Sequence, residues 1–275
     1  MDFLEYYKLR EHPFSNVVDN RFYYNSPQHA TALVKLKHAI DSKRGLSVVV
    51  GDIGAGKTTL ARRLLEDLDE SRYEAALLVI IHSTVSSEWL LKKFALQLGL
   101  DEVKEDKVAL LGQLYVRLQE IHDEGKTAVV LMDEVQMLNS REIMEEFRGL
   151  LNMEMDEGKM INLIFFGLNE LDEVMSLDEP LKQRVAVKIS LSAFNEGETR
   201  DYVFHRMKIA GSKAQLFTDD AVIELWKYSK GLPRLINTIC DNALLEGFLV
   251  KAQAIDAKII KTVAVDLGLN GESQI

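Results

Sequence analysis

Gly51-Asp52-Ile53-Gly54-Ala55-Gly56-Lys57-Thr58, followed by Thr59, lies between the apolar run Leu46–Val50 and a helical stripe of Leu60, Leu64, Leu65 and Leu68. The first eight residues satisfy G-x-x-x-x-G-K-[ST] in full. A strand before and an amphipathic helix after supply the context in which that pattern carries meaning. Glycines let successive backbone N–H groups converge on phosphate oxygens without side-chain obstruction. The helix that opens next turns its positive end toward the same phosphates. Lys57 can then reach the β- and γ-phosphates of a nucleotide, and the Thr58 hydroxyl can ligate Mg²⁺. Residues 51–59 are the candidate nucleotide-binding set. A glycine-rich turn that binds nothing is the weaker reading.

Working outward, five short apolar runs read as strands buried on both faces: Leu46–Val50, Ala75–Ile81, Thr127–Met132, Ile161–Phe166 and Val185–Leu191. Each is too short for an ordinary helix, and most are rich in β-branched residues. Helical stripes fall between them, with Leu111, Leu114, Leu118 and Ile121 in one and Ile143, Met144, Phe147, Leu150 and Leu151 in another. Alternating strand and helix predicts an α/β fold with a five-stranded parallel sheet between helices. After Leu191 the strand signals stop. Glu196–Ala210, Thr218–Lys230, Pro233–Phe248 and Ile255–Leu267 read as helices, punctuated by Gly211, Gly231 and Gly268. The first 44 residues read as mostly helical after an irregular, aromatic start. The expected division is therefore residues 1–192, holding an N-terminal helical segment and the α/β core, and residues 193–275, a small all-α domain.

A second motif ends the third strand: Ala128-Val129-Val130-Leu131-Met132-Asp133-Glu134. An open α/β sheet places ligands beyond the carboxyl ends of its strands. Asp133 is the candidate metal residue beside Thr58, and Glu134 the candidate general base that polarises an attacking water. The guanine-specifying Asn-Lys-x-Asp pattern is absent, and Gly54-x-Gly56 is not followed by the third glycine of a dinucleotide fingerprint. Small-molecule kinases share the architecture, but two carboxylates closing the third strand fit hydrolysis better than transfer to a metabolite. No Cys/His cluster has metal-ligand spacing, so Mg²⁺ arriving with the nucleotide is the one metal inferred.

Composition narrows the setting. The 275 residues carry 33 Lys+Arg against 43 Asp+Glu, a net charge of −10, which argues against coating nucleic acid through overall charge. The single cysteine, Cys240, excludes an internal disulfide framework and suits a reducing compartment. No apolar run approaches the roughly 18–20 residues a membrane span needs, and no signal peptide is evident. A cytoplasmic protein is expected.

These residues resemble AAA+ ATPases, and more narrowly the general secretion pathway protein A family with its pilus- and exopolysaccharide-associated relatives. The resemblance runs from Tyr7-Lys8-Leu9-Arg10-Glu11-His12-Pro13-Phe14-Ser15 to the helical tail. Beyond the phosphate loop and Asp133-Glu134-Val135-Gln136, it is carried by Glu198-Thr199-Arg200-Asp201-Tyr202-Val203-Phe204-His205-Arg206 and Gly231-Leu232-Pro233-Arg234-Leu235-Ile236-Asn237. The last two resemble lid-domain blocks of the family. The resemblance implies a P-loop AAA+ core plus a C-terminal lid. It also implies that Arg234 contacts the γ-phosphate from the lid and that Arg184 acts as an arginine finger on a neighbour's nucleotide, with Arg148 a second finger candidate. Where relatives often read Gly-Gln-Pro-Glu-Leu, this chain reads Gly167-Leu168-Asn169-Glu170-Leu171. Either Asn169 supplies the polar sensor amide, displaced by one residue, or Gln136 orients the water.

Longer members of that family also carry a membrane span and a periplasmic peptidoglycan-binding region, and neither is read here. The resemblance implies a Mg²⁺-dependent ATPase at the cytoplasmic side of the inner membrane. ATP would sit between core and lid, with Pro13-Phe14 near adenine, and ADP and phosphate would leave. A homo-oligomer, a ring among the options, is implied by a finger acting in trans. Its machinery partner would belong to a secretion, pilus or polysaccharide-export system. Two alternatives stand beside this: a DNA-associated ATPase of the transposition-helper type, kept open by Arg62-Arg63 and Lys92-Lys93, and a nucleotide-gated scaffold.

Overall fold

A computed structural model describes residues 2–269. Contacts divide the chain into two units, one of residues 27–52 and 57–191 and the other of residues 2–26, 53–56 and 192–269.

The first unit is built on a five-stranded parallel sheet: β1 (Leu46–Gly51), β2 (Tyr73–Val79), β3 (Thr127–Asp133), β4 (Ile161–Gly167) and β5 (Val185–Leu191), in the order β2-β3-β4-β1-β5. Every residue of β1 and β4 is buried, as are all of β3 but Thr127, because helices cover both faces of a parallel sheet. The expectation of two-sided burial fails at the margins: β2 and β5 are edge strands and are only partly covered. β2 also starts and stops two residues earlier than its apolar run: Ile80 makes one last bond, to the Asp133 carbonyl, and Ile81 is 70% exposed.

The helices follow their stripes. In Lys57–Asp67, Leu60, Ala61 and Leu64 are buried; in Arg141–Leu150, Ile143, Met144, Phe147 and Leu150 are. In Lys107–Asp123 the buried row begins at Leu110 rather than at Leu111, which is only partly covered. A small antiparallel hairpin, Glu154–Met155 with Gly158–Lys159, carries no apolar alternation and is invisible to periodicity. One apolar cluster joins the sheet to the helices Lys107–Asp123 and Arg141–Leu150, and within it Phe147 packs between Phe94 and Phe165.

The second unit is helical: Glu196–Ile209, Asp219–Ser229, Pro233–Leu249 and Ala257–Asp266. Asn195 caps the first through a reciprocal box with Glu198, Thr218 caps the second, and Pro233 stands in the first turn of the third. Residues 2–26 belong here, whereas division by chain order places them with the α/β core. Tyr7, Leu9, Phe14 and Phe22 pack into the same apolar cluster as Phe217, Val222 and Ile260. Phe14 is 2% exposed and meets Phe217 edge-on at 5.8 Å. It is a core residue of the helical unit. The last of the predicted lid residues, 270–275, lie outside the described residues.

Candidate functional site

β1 ends at Gly51, and the chain turns through Asp52–Gly56 before the helix opens at Lys57. Gly54 and Gly56 take φ of 81° and 98°, the left-handed region that a side chain at either position would resist. Lys57 is 6% exposed, and its Nζ donates to the carbonyls of Gly51 at 2.8 Å and Asp52 at 2.9 Å. The ammonium is thus held inside the curve of the loop. Burial pushes its pKa below the ordinary lysine value, while the charges of Glu134, Asp133, Asp52 and Glu170 pull it back up. Thr59 follows on the same helix, partly covered.

Asp133 closes β3 and is 1% exposed. Its Oδ2 accepts from Thr58 Oγ1 at 2.6 Å, and its Oδ1 accepts from the Glu134 amide at 3.0 Å. Burial raises the Asp133 pKa, and the neighbouring Glu134 charge adds to that; the Thr58 hydrogen bond opposes both. A hydroxyl and a buried carboxylate in contact are hard oxygen donors of the kind Mg²⁺ takes alongside phosphates and water. The pair therefore fits such an ion.

Glu134 has left-handed backbone, φ 60° and ψ 35°, uncommon for a residue with a β-carbon. The turn carries its carboxylate off the line of the strand. Gln136, two residues on, donates from Nε2 to Glu134 Oε2 at 2.6 Å, and its Oε1 accepts from the Leu168 amide at 3.1 Å. Leu168 follows directly on β4, and the next residue, Asn169, donates from Nδ2 to Asp52 Oδ1 at 3.0 Å. Lys57, Thr58, Asp133, Glu134 and Asn169 are thereby brought to the same end of the sheet.

The two finger candidates bond to other partners. Arg184 is partly covered, and its Nη1 donates to the Arg148 carbonyl at 3.3 Å. Arg148 is drawn to Asp178, with Nε 3.0 Å from Oδ2 of a carboxylate that also caps Leu181 through Oδ1 at 2.8 Å. That pairing gives Arg148 a structural job and leaves Arg184 the better finger candidate. Arg234, in the helical unit, is exposed. Its amide lies 3.4 Å from the Gly54 carbonyl, and a β-carbon on Gly54 would stand 2.7 Å from Arg234 Cβ. The lid residue and the tip of the phosphate loop are thus neighbours in one contact unit.

The other lid-block residues do something different. Arg206 is 7% exposed and donates from Nε to the Pro13 carbonyl at 2.5 Å, from Nη1 to Tyr202 Oη at 2.7 Å and from Nη2 to the Ser15 carbonyl at 3.0 Å. Tyr202 donates to Asn237 Oδ1 at 2.9 Å, and Asn237 Nδ2 donates to Asn16 Oδ1 at 3.1 Å. This network fastens residues 13–16 to the helices, across separations of 191 to 221 positions. Sequence spacing gives no sign of it.

Residues 40–175 match the family model described as an AAA domain. With the phosphate loop and the order of the parallel sheet, that match gives the chain an AAA+ P-loop fold. It is similar to General secretion pathway protein A of Aeromonas hydrophila, at 32% identity over 255 residues, or 90% of this chain and 45% of that protein. The chain spans less than half the length of that relative. Among solved structures, the ADP form of the Aeropyrum pernix ORC2 protein has a TM-score of 0.69 at 16% identity, covering 94% of this chain and 73% of that one. Drosophila ORC bound to DNA has a TM-score of 0.68 at 16% identity, covering 95% and 65% respectively. The Thermotoga maritima RuvB Holliday junction branch migration motor has a TM-score of 0.59 at 18% identity, covering 88% and 70%. At such identities the likeness is one of fold. Among the described residues no helix is long and apolar enough to cross a membrane.

Proposed function

We propose that this chain binds and hydrolyses ATP with Mg²⁺, and that the hydrolysis drives an accessory step in assembling a secretion, pilus or polysaccharide-export system. The observation that carries the catalytic half is the convergence of Lys57, the Thr58–Asp133 pair and Glu134 at one end of the sheet. Backbone amides of the loop and the Lys57 ammonium hold the phosphates; to do so Lys57 leaves the carbonyls of Gly51 and Asp52 that it now serves. Thr58 and Asp133 would hold Mg²⁺, which supplies charge neutralisation on the phosphates when bound. Glu134 accepts the proton of the attacking water as that water's oxygen bonds to the γ-phosphorus, and the bond to ADP breaks. Asn169 would supply the amide that meets the γ-phosphate, and Arg234 the cation that contacts it from the lid. Arg184, whose Nη1 donates to the Arg148 carbonyl at 3.3 Å, serves a neighbour's nucleotide in a homo-oligomer. A guanidinium suits that role because it stays charged and forks onto phosphate oxygens.

The output rests on the relative in Aeromonas hydrophila, whose name places it in general secretion. On that reading we assign this chain to the cytoplasm, against an inner-membrane partner. The net charge of −10 is the observation set against DNA as the partner. The test is phosphate release from ATP by wild type, by Lys57→Ala, by Arg184→Ala and by equimolar mixtures of the two variants, with and without DNA, alongside mass in solution. The expected result is two inactive variants, partial rescue on mixing, ATP-dependent assembly and little response to DNA. No release by wild type in any assembly state overturns the hydrolytic reading. Strong stimulation by DNA transfers the output to a DNA-associated ATPase, and assembly without turnover makes the chain a scaffold.

A further inference from the structure

We infer that Gln136 is a positioning residue that ties the Glu134 carboxylate to the end of β4, so that what happens at Asn169 is felt at the general base. The inference rests on the reading of Glu134 just given and adds a residue to which that reading assigns no step.

The geometry is two-sided. One amide faces two different elements, with Nε2 on Glu134 Oε2 at 2.6 Å and Oε1 on the Leu168 N–H at 3.1 Å. The donor side is charge-assisted, the stronger kind of hydrogen bond, and it lies in a partly covered place where such bonds count for more. The acceptor side is built for close approach. A β-carbon at Gly167 would lie 2.8 Å from Gln136 Oε1, so the glycine ending β4 clears the space the amide oxygen occupies. From Leu168 the chain runs one residue to Asn169, whose amide already reaches Asp52 on the phosphate loop at 3.0 Å. A continuous line thus runs from Glu134 through the Gln136 amide and the 168 backbone to Asn169 and Asp52.

Chain length and chemistry both matter to this line. Asparagine is one methylene shorter and cannot span the two partners. Glutamate has the reach and keeps an acceptor for Leu168, but it has no donor for Glu134 and sets a second negative charge against it. Glu134 itself stands on left-handed backbone, where one residue's torsion decides the direction of the carboxylate. A side chain so poised needs a tie, and the Gln136 amide is the partner its carboxylate has in the 134–136 turn.

The experiment compares steady-state ATP hydrolysis and ADP-induced thermal shifts of wild type, Gln136→Ala, Gln136→Glu, Asn169→Ala, the Gln136→Ala/Asn169→Ala double variant and Glu134→Gln. Misplacing a reacting group by about 1 Å costs on the order of 100-fold. Gln136→Ala is therefore expected to lose roughly 10- to 100-fold in kcat, while KM and the ADP-induced shift stay close to wild type. Gln136→Glu falls at least as far, because the lost donor faces Glu134. The double variant loses less than the product of the two single losses, as residues on one line do. If Gln136→Glu turns over like wild type while Glu134→Gln is inactive, the tie to Glu134 is wrong and the general base stands. Losses that multiply in the double variant overturn the link to Asn169. If Glu134→Gln itself keeps its turnover, the reading beneath fails, and the inference with it. Should Gln136→Ala fail to fold, the isosteric Gln136→Glu carries the same comparison.

Discussion

At the carboxyl end of β3, Asp133 and Glu134 stand side by side with a buried lysine nearby; in the helical unit, Arg206 lies among aromatic rings with Tyr202 and Asn237. Both constellations are polar groups set in apolar surroundings, and both fall in stretches that carry the family resemblance. They differ in what their hydrogen bonds leave over. The Arg206 guanidinium donates through three nitrogens to the Pro13 and Ser15 carbonyls and to Tyr202, and it lies over the rings of Phe22 at 5.0 Å and Tyr202 at 5.5 Å. Such a network is closed and holds architecture. At the sheet end, adjacent carboxylates, a lysine turned onto loop carbonyls and a left-handed glutamate cost the isolated protein stability. Uncompensated charge and strained backbone are where ligand chemistry is to be sought.

Three perturbations press on that contrast, beginning with the largest. Arg206→Ala leaves the Pro13 carbonyl and the Tyr202 phenol buried without their donor, at about 1–3 kcal/mol each, and releases the partly covered Ser15 carbonyl, so a loss of about 3 kcal/mol or more is expected in chemical denaturation. Turnover per folded molecule should stay within about twofold of wild type, since the network is architectural; a specific loss of kcat at unchanged stability would break the comparison. His29 sharpens it by showing what a buried titratable group does outside either constellation. Burial pushes its pKa down to about 4 from 6.5. The unfolded chain therefore binds the extra proton between those values, and stability falls as pH drops from about 6.5 to 4, by about 3 kcal/mol. His29→Gln should flatten that part of the stability–pH curve, and an unchanged slope would show that His29 does not set it. Asp178→Ala removes a helix cap and the partner of Arg148, with an expected cost of about 2 kcal/mol. Asp178→Asn keeps the cap and should recover about half; equal losses in both would assign the whole effect to the charge.

Much of the fold was legible because burial leaves periodic marks. β1, β3 and β4 are covered on both faces and read as unbroken apolar runs, and the helices between them repeat at the expected spacing. The edges were harder: β2 is offset by two residues, since an edge strand stops where its neighbour stops pairing rather than where apolarity ends. The phosphate loop, Asp133 and Glu134 were legible because their chemistry is local, with residue type and spacing in one stretch. The rest of the site is not local. Gln136 meets Leu168 across 32 positions, and Arg206 meets Pro13 across 193, through pairings that no spacing rule encodes. Phe14 meets Phe217 across 203 positions for the same reason. Of the candidate arginines, only partners brought in by the fold separate Arg148, held by Asp178, from Arg184.

The central claim is that the sheet end is a hydrolytic site with Glu134 as its base, and one variant tests it most directly. Glu134→Gln keeps the shape of the side chain and removes its capacity to take a proton. Single-turnover hydrolysis of ATP by assembled protein is the measurement, with ATP binding followed in the same samples. Binding is expected close to wild type and cleavage slower by at least about 100-fold, the usual scale for losing a general base. Cleavage at near the wild-type rate by fully bound Glu134→Gln would contradict it.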